Sequence, residues 1–123
     1  MIPPKVSLGP DGIVRVDYGS TGVVTPDCVQ AELAARLPLK PGPQLVLMSF
    51  PGVWRVDVQA AAFMASAEFA SATVAVAAVV ESSLGNLALR VFELYHRPPY
   101  PLGIFARDDD AESWLLQIGH GKR

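Results

Sequence analysis

Cysteine is nearly missing from this chain: Cys28 is the only one among 123 residues. An internal disulfide is therefore excluded, and a thiolate metal cluster lacks its ligands. The two histidines, His96 and His120, stand far apart, and neither sits in a catalytic or metal-ligating spacing. Charge is sparse as well, at 18% of residues, and 10 basic against 12 acidic side chains leave a net charge of -2 with no Lys/Arg run. A basic face that displaces counterions from a duplex is not to be expected, so nucleic acid is not an expected partner. No glycine-rich phosphate loop is present: Gly19-Ser20-Thr21-Gly22 lacks the lysine and the spacing, and Gly85 stands alone. The opening Met1-Ile2-Pro3-Pro4-Lys5 has no apolar stretch of the secretory kind, and a reducing cytoplasm is the expected compartment.

One stretch, Val58 to Val80, carries a single charge and is long enough for a bilayer core of ~30 Å. It is mostly alanine, and Glu68, Ser66, Ser71 and Thr73 interrupt its middle, where a carboxylate is costly. It reads as a helix followed by a buried strand, and no membrane partner is expected.

What is present is apolar: 50% hydrophobic residues and a mean hydropathy of +0.30. That composition suits one packed domain over 1–123, with 1–5 and 119–123 read as loose tails. Val6-Ser7-Leu8 and Ile13 to Tyr18 alternate apolar and polar around Gly9-Pro10-Asp11-Gly12, which predicts a hairpin. Thr25-Pro26-Asp27 has the chemistry of a helix start, and Val29, Leu33 and Leu37 recur at helical spacing before Pro38. Leu45-Val46-Leu47-Met48 suits a strand covered on both faces. Asp57 caps a second helix expected to run to about Ala70, with Val58, Ala62, Ala65 and Phe69 on one face. Thr73 to Val80 is a second buried strand. Ser82 caps a third helix whose apolar stripe is Leu84, Leu87, Val91 and Leu94, with Arg90, Glu93 and Arg97 away from it. Leu102 to Ala106 is the last strand. Asp109 with Glu112 resembles a capping box, Trp114, Leu115 and Ile118 form the packing face of the final helix, and Gly119 ends it.

The resulting order, β-β-α-β-α-β-α-β-α, implies an α/β fold with right-handed parallel crossovers. It is also the order of the STAS domain, typified by anti-sigma-factor antagonists. Leu45 to Asp57 resembles that family's strand, its Gly-Val turn and the aspartate before the second helix. Leu87 to Leu115 is similar to the C-terminal half of the SpoIIAA-like branch: a helix, an Arg-Pro-Pro loop, a short strand with a Phe, and an acidic Trp-Leu helix. The resemblance implies a mixed, mostly parallel sheet with helices packed on it. In phosphorylated members the aspartate is followed by Ser-Ser-Gly, and the first Ser accepts phosphate. Here Asp57 is followed by Val58-Gln59-Ala60, and Met48 or Ser49 stands where an aspartate often closes the preceding strand. The scaffold is then expected without its phosphate switch.

Two groups of residues are candidates for binding. Ser49, Ser82, Ser83 and Asn86 lie at strand ends or a helix start, where open α/β sheets take ligands. Their plainer roles are a loop hydroxyl and a helix cap. A pocket between the second and third helices, lined by Phe63, Val79 and Leu87, belongs to this ligand reading. Trp54, Arg55, Arg97 and Tyr100 are candidates for a partner interface, since Arg, Trp and Tyr anchor interfaces. Trp54 and Arg55 precede the second helix, where the family presents its partner-binding ridge, and Trp54 either anchors a partner or tucks into the domain. Cys28 reads as a small structural residue. The function expected is a non-catalytic regulatory or protein-interaction module, homodimeric and with a possible further protein partner. It uses no cofactor and no metal. The alternative is a binder of a small ligand, nucleotide or lipid-like.

Overall fold

A computed structural model describes residues 3–19, 22–52 and 55–121. Five strands form the main sheet in the order β1-β2-β4-β6-β7. β1 (Lys5–Leu8) and β2 (Ile13–Asp17) make the expected antiparallel hairpin. Asp11 closes its turn by accepting from the Ile13 N–H, and Gly12 takes a positive φ of 83° that favours glycine. β4 (Gln44–Ser49), β6 (Thr73–Val79) and β7 (Leu102–Phe105) then add in parallel. Lys5 pairs with Asp17 in β1, so the first tail is ordered at least from that residue.

Two additions were not legible as periodic segments. β3 (Val23–Val24) and β5 (Arg55–Val56) pair in parallel as a separate two-residue ribbon. The second expected helix is also two: α2 (Val58–Met64) and α3 (Ala67–Ser71). The break falls at Ala65-Ser66, where Ser66 Oγ accepts from the Phe69 N–H and restarts the chain as a new cap.

Each face of the sheet has its own core, because alternate strand residues point opposite ways. Val14, Val16, Val46, Met48, Val76 and Ala78 face α1 (Pro26–Arg36), α2, α3 and α4 (Ser83–His96). Leu47, Ala75, Ala77 and Val79 face α5 (Asp108–Gly121), which brings Ala111, Trp114, Leu115 and Ile118. α5 does not stop at Gly119. That glycine instead admits Leu45, since a Cβ there would lie 3.0 Å from Leu45 Cδ1. Among the described residues no helix is long and apolar enough to cross a membrane.

α1 buries charge. Glu32 and Arg36 are 0% exposed, and Arg36 Nη1 lies 3.0 Å from Glu32 Oε2. Arg36 also donates to Gln44 Oε1 (3.0 Å), the Ala72 carbonyl (2.8 Å) and Thr73 Oγ1 (3.0 Å), and Tyr18 donates its hydroxyl proton to Glu32. Burial pushes the Glu32 carboxyl up, against the pull of Arg36 beside it. Leu37, expected on the packing face, is exposed instead. No buried side-chain nitrogen or oxygen among the described residues lacks a partner, which is the condition for tolerating such a network.

Candidate functional site

The carboxyl ends of the parallel strands bring Ser49 into an open cleft of about 300 Å³. In register with Ser49 lie Asp17 on β2 and Val79 on β6. Lys5, Ser7, Arg15 and Asp108 complete much of its wall. A smaller neighbouring recess adds Glu81 to Asp17, Ser49 and Asp108. Arg15 is already held by Asp11, through two contacts of 3.0 Å, and by Glu112. That guanidinium, hydrogen-bonded to Asp11, holds the Asp11 carboxyl down to about 2. Asp17, Glu81 and Asp108 therefore outweigh Lys5 around Ser49, and this field opposes a phosphate or other anion there.

Ser82, Ser83 and Asn86 do not join Ser49 in this cleft. Ser82 is a cap: its Oγ accepts from the Gly85 N–H at 2.9 Å. Asn86 Oδ1 accepts from Arg90 Nε at 2.9 Å, and Ser83 is exposed in the first turn. A groove does lie between α2 and α4, the expected second and third helices, but Phe63, Val79 and Leu87 are not among its lining residues. Phe63 lines a cleft with Gln30, Leu33 and Glu68, Val79 lines the Ser49 recess, and Leu87 faces solvent.

The four interface candidates also separate. Trp54 lies outside the described residues. Arg55 is exposed on β5, 4.0 Å from Asp57 Oδ2, and lines a groove of about 200 Å³ between α2 and α4. Arg97 is exposed and ends α4 in the left-handed conformation, with φ 45°. Tyr100 is not a surface anchor. It is buried, packs 5.9 Å from the Phe69 ring, and donates its hydroxyl proton to the Met64 carbonyl at 2.8 Å. Burial pushes its hydroxyl well above the usual tyrosine range.

The surface that stands out is the outer side of α4. The helix packs inward through Gly85, Leu89 and Phe92. The stripe expected to pack, Leu84, Leu87, Val91 and Leu94, points out instead. Leu84 is 63% exposed, Leu87 59%, Leu94 65%, and Tyr95 beside them 77%. The reason is geometric. Gly85, Leu89 and Phe92 take the buried flank, and positions 84, 87, 91 and 94 fall on the other side at 3.6 residues per turn. A helix with two apolar flanks carries more hydrophobic surface than its own domain covers. The sequence signal was the second set at positions 85, 89 and 92, which competes with the first.

Val58 adds to the same face. Asp57 caps α2 by accepting from the Gln59 N–H at 2.9 Å, as the resemblance implies. The next position, where the family presents serine, holds Val58 at 74% exposure and borders the groove beside α4. A methyl group replaces a hydroxyl at a solvent-facing helix start.

The comparisons with known proteins agree with this architecture. An uncharacterized protein of the DUF3478 family from Shewanella loihica PV-4, whose crystal structure has a SpoIIAA-like fold, superposes with a TM-score of 0.58. The match covers 91% of each chain at 16% identity, and it shows that the fold is SpoIIAA-like. No curated protein matches the sequence. The family described as Domain of unknown function (DUF7793) matches residues 7–119, and the chain belongs to that family.

Proposed function

We propose that this protein is a non-catalytic, STAS-like regulatory module that docks a protein on the outer face of α4 and is not switched by phosphate at the start of α2. The observation that carries the reading is the exposed stripe Leu84, Leu87, Val91, Leu94, Tyr95 together with Val58. Scattered apolar side chains on a surface need no explanation, but large ones gathered along one side of a helix mark an interaction surface. The SpoIIAA-like fold supports a regulatory role at the level of analogy. Val58 supports the loss of the switch, because it offers no oxygen to phosphorylate. The same reading has the protein cytoplasmic and free of cofactors, with protein rather than nucleic acid or membrane as its partner.

The test is affinity isolation of the tagged chain from its native cell, beside Leu87→Glu and Arg97→Ala. The reading expects Leu87→Glu to lose its bound protein, homologous or foreign, while its thermal unfolding stays close to wild type. A Leu87→Glu chain that retains every partner would refute the α4 face. Mass spectrometry that found phosphate on α2 would refute the second half of the proposal.

A further inference from the structure

We infer that the groove between α2 and α4 is a binding site for a small amphipathic carboxylate, with its apolar body along the helices and its charge at Arg55 and His96. The inference goes beyond the docking reading and does not depend on it.

The lining divides by chemistry. Val56, Val58 and Ala61, from β5 and α2, meet Ala88, Val91 and Phe92 of α4 around about 200 Å³. Ala61 and Ala88 carry a single methyl group each, which leaves room between the two helices. Ala61 and Phe92 are buried, while Val58 and Val91 leave methyl groups in solvent. A hydrocarbon body laid in the groove removes apolar surface of both partners from water. The volume is below the ~300–1,000 Å³ of drug-sized ligand sites, so the occupant is small.

Arg55 and His96 fix the sign of the polar end. Neither side chain makes a hydrogen bond among the described residues. The carboxylate beside Arg55 is that of Asp57, whose Oδ2 is 4.0 Å away and whose Oδ1 accepts from the Gln59 N–H. The guanidinium therefore keeps its planar fork of donors for another acceptor, and a carboxylate matches that fork with two oxygens. The His96 ring stacks on Phe92 at 5.6 Å, and imidazole has an N–H to donate in either protonation state. Among the described residues no acidic side chain lines this groove, whereas Asp17 and Asp108 line the Ser49 cleft. Of the two, the α2–α4 groove is the one whose charge suits an anion.

Titration calorimetry of the full chain with sodium octanoate tests the site. The controls are 1-octanol, the body without the charge, and sodium acetate, the charge without the body. The inference expects saturable binding of one octanoate per chain, with either control roughly 10-fold weaker or more. Arg55→Gln should weaken octanoate roughly 10-fold, as loss of a charge-assisted hydrogen bond does, and leave octanol unchanged. Ala88→Leu, checked for wild-type thermal unfolding, should abolish binding by filling the groove. In the unaltered chain, octanoate should shift the amide resonances of 55–61 and 88–96, a readout that needs no variant. Octanol binding as tightly as octanoate, or an Arg55→Gln chain that binds octanoate like wild type, would overturn the anionic end. No saturable binding at millimolar octanoate, or shifts centred on Leu84, Leu87 and Leu94 instead, would overturn the site.

Discussion

α1 and α4 flank the same sheet face and treat polarity in opposite ways. α1 hides a glutamate and an arginine completely, while α4 leaves four leucine-class side chains and a tyrosine in solvent. Hydropathy alone would have exchanged them. The difference lies in what each side chain finds. Glu32 and Arg36 meet Tyr18, Gln44, Thr73 and the Ala72 carbonyl, and Arg36 also stacks 5.1 Å over the Phe69 ring. Every donor and acceptor is answered, so the charges tolerate burial. The outer leucines of α4 remain largely exposed. Burial follows the available partners.

Breaking the α1 side should have the largest effect. Glu32→Ala strands the Arg36 charge in the core and should cost about 3–5 kcal/mol in urea unfolding. A loss under about 1 kcal/mol would mean that the network is not what holds α1 inward. Next comes Tyr100→Phe, which leaves the Met64 carbonyl without its donor and should cost about 1–2 kcal/mol. Binding should be unaffected, because Tyr100 is inside. Ser82→Ala should cost ~1 kcal/mol by removing the cap of α4, again without abolishing association. Leu87→Gln sharpens the contrast from the other side: monomer stability should stay within about 0.5 kcal/mol of wild type while association is lost.

The smallest expected effect is on pH dependence. Asp11 is held below its ordinary value of 3.8, down to about 2, by Arg15. Its contribution is present above pH 3.8 and is lost as pH falls through about 2. Asp11→Asn should flatten that part of an acid titration by less than about 1 kcal/mol, because the pair is largely solvated.

Much of the frame was legible because it repeats locally. The alternation of Ile13 to Asp17, the cap chemistry of Thr25, Asp57 and Ser82, and the buried run at 73–79 all read directly into elements. β3 and β5 were not legible because two residues carry no period. The break between α2 and α3 was hidden in an alanine-rich stretch where the Ser66 cap had no contrast. The site was harder. Leu84, Leu87, Val91 and Leu94 were visible as a stripe, but which side of α4 meets the sheet depends on Gly85 and Phe92 against neighbours distant in sequence. Tyr100 and Arg36 were misplaced or missed for the same reason, since their partners Met64 and Thr73 lie 36 and 37 residues away. Arg55 and Arg97 did remain at the surface, one beside the α4 groove and one at the helix end.

Affinity isolation of the tagged full chain, wild type beside Leu87→Glu, is the most direct measurement. The account predicts that the wild type captures a protein that the variant, with wild-type thermal unfolding, does not. A wild-type chain that captures nothing, or a variant that captures the same protein equally well, would contradict it.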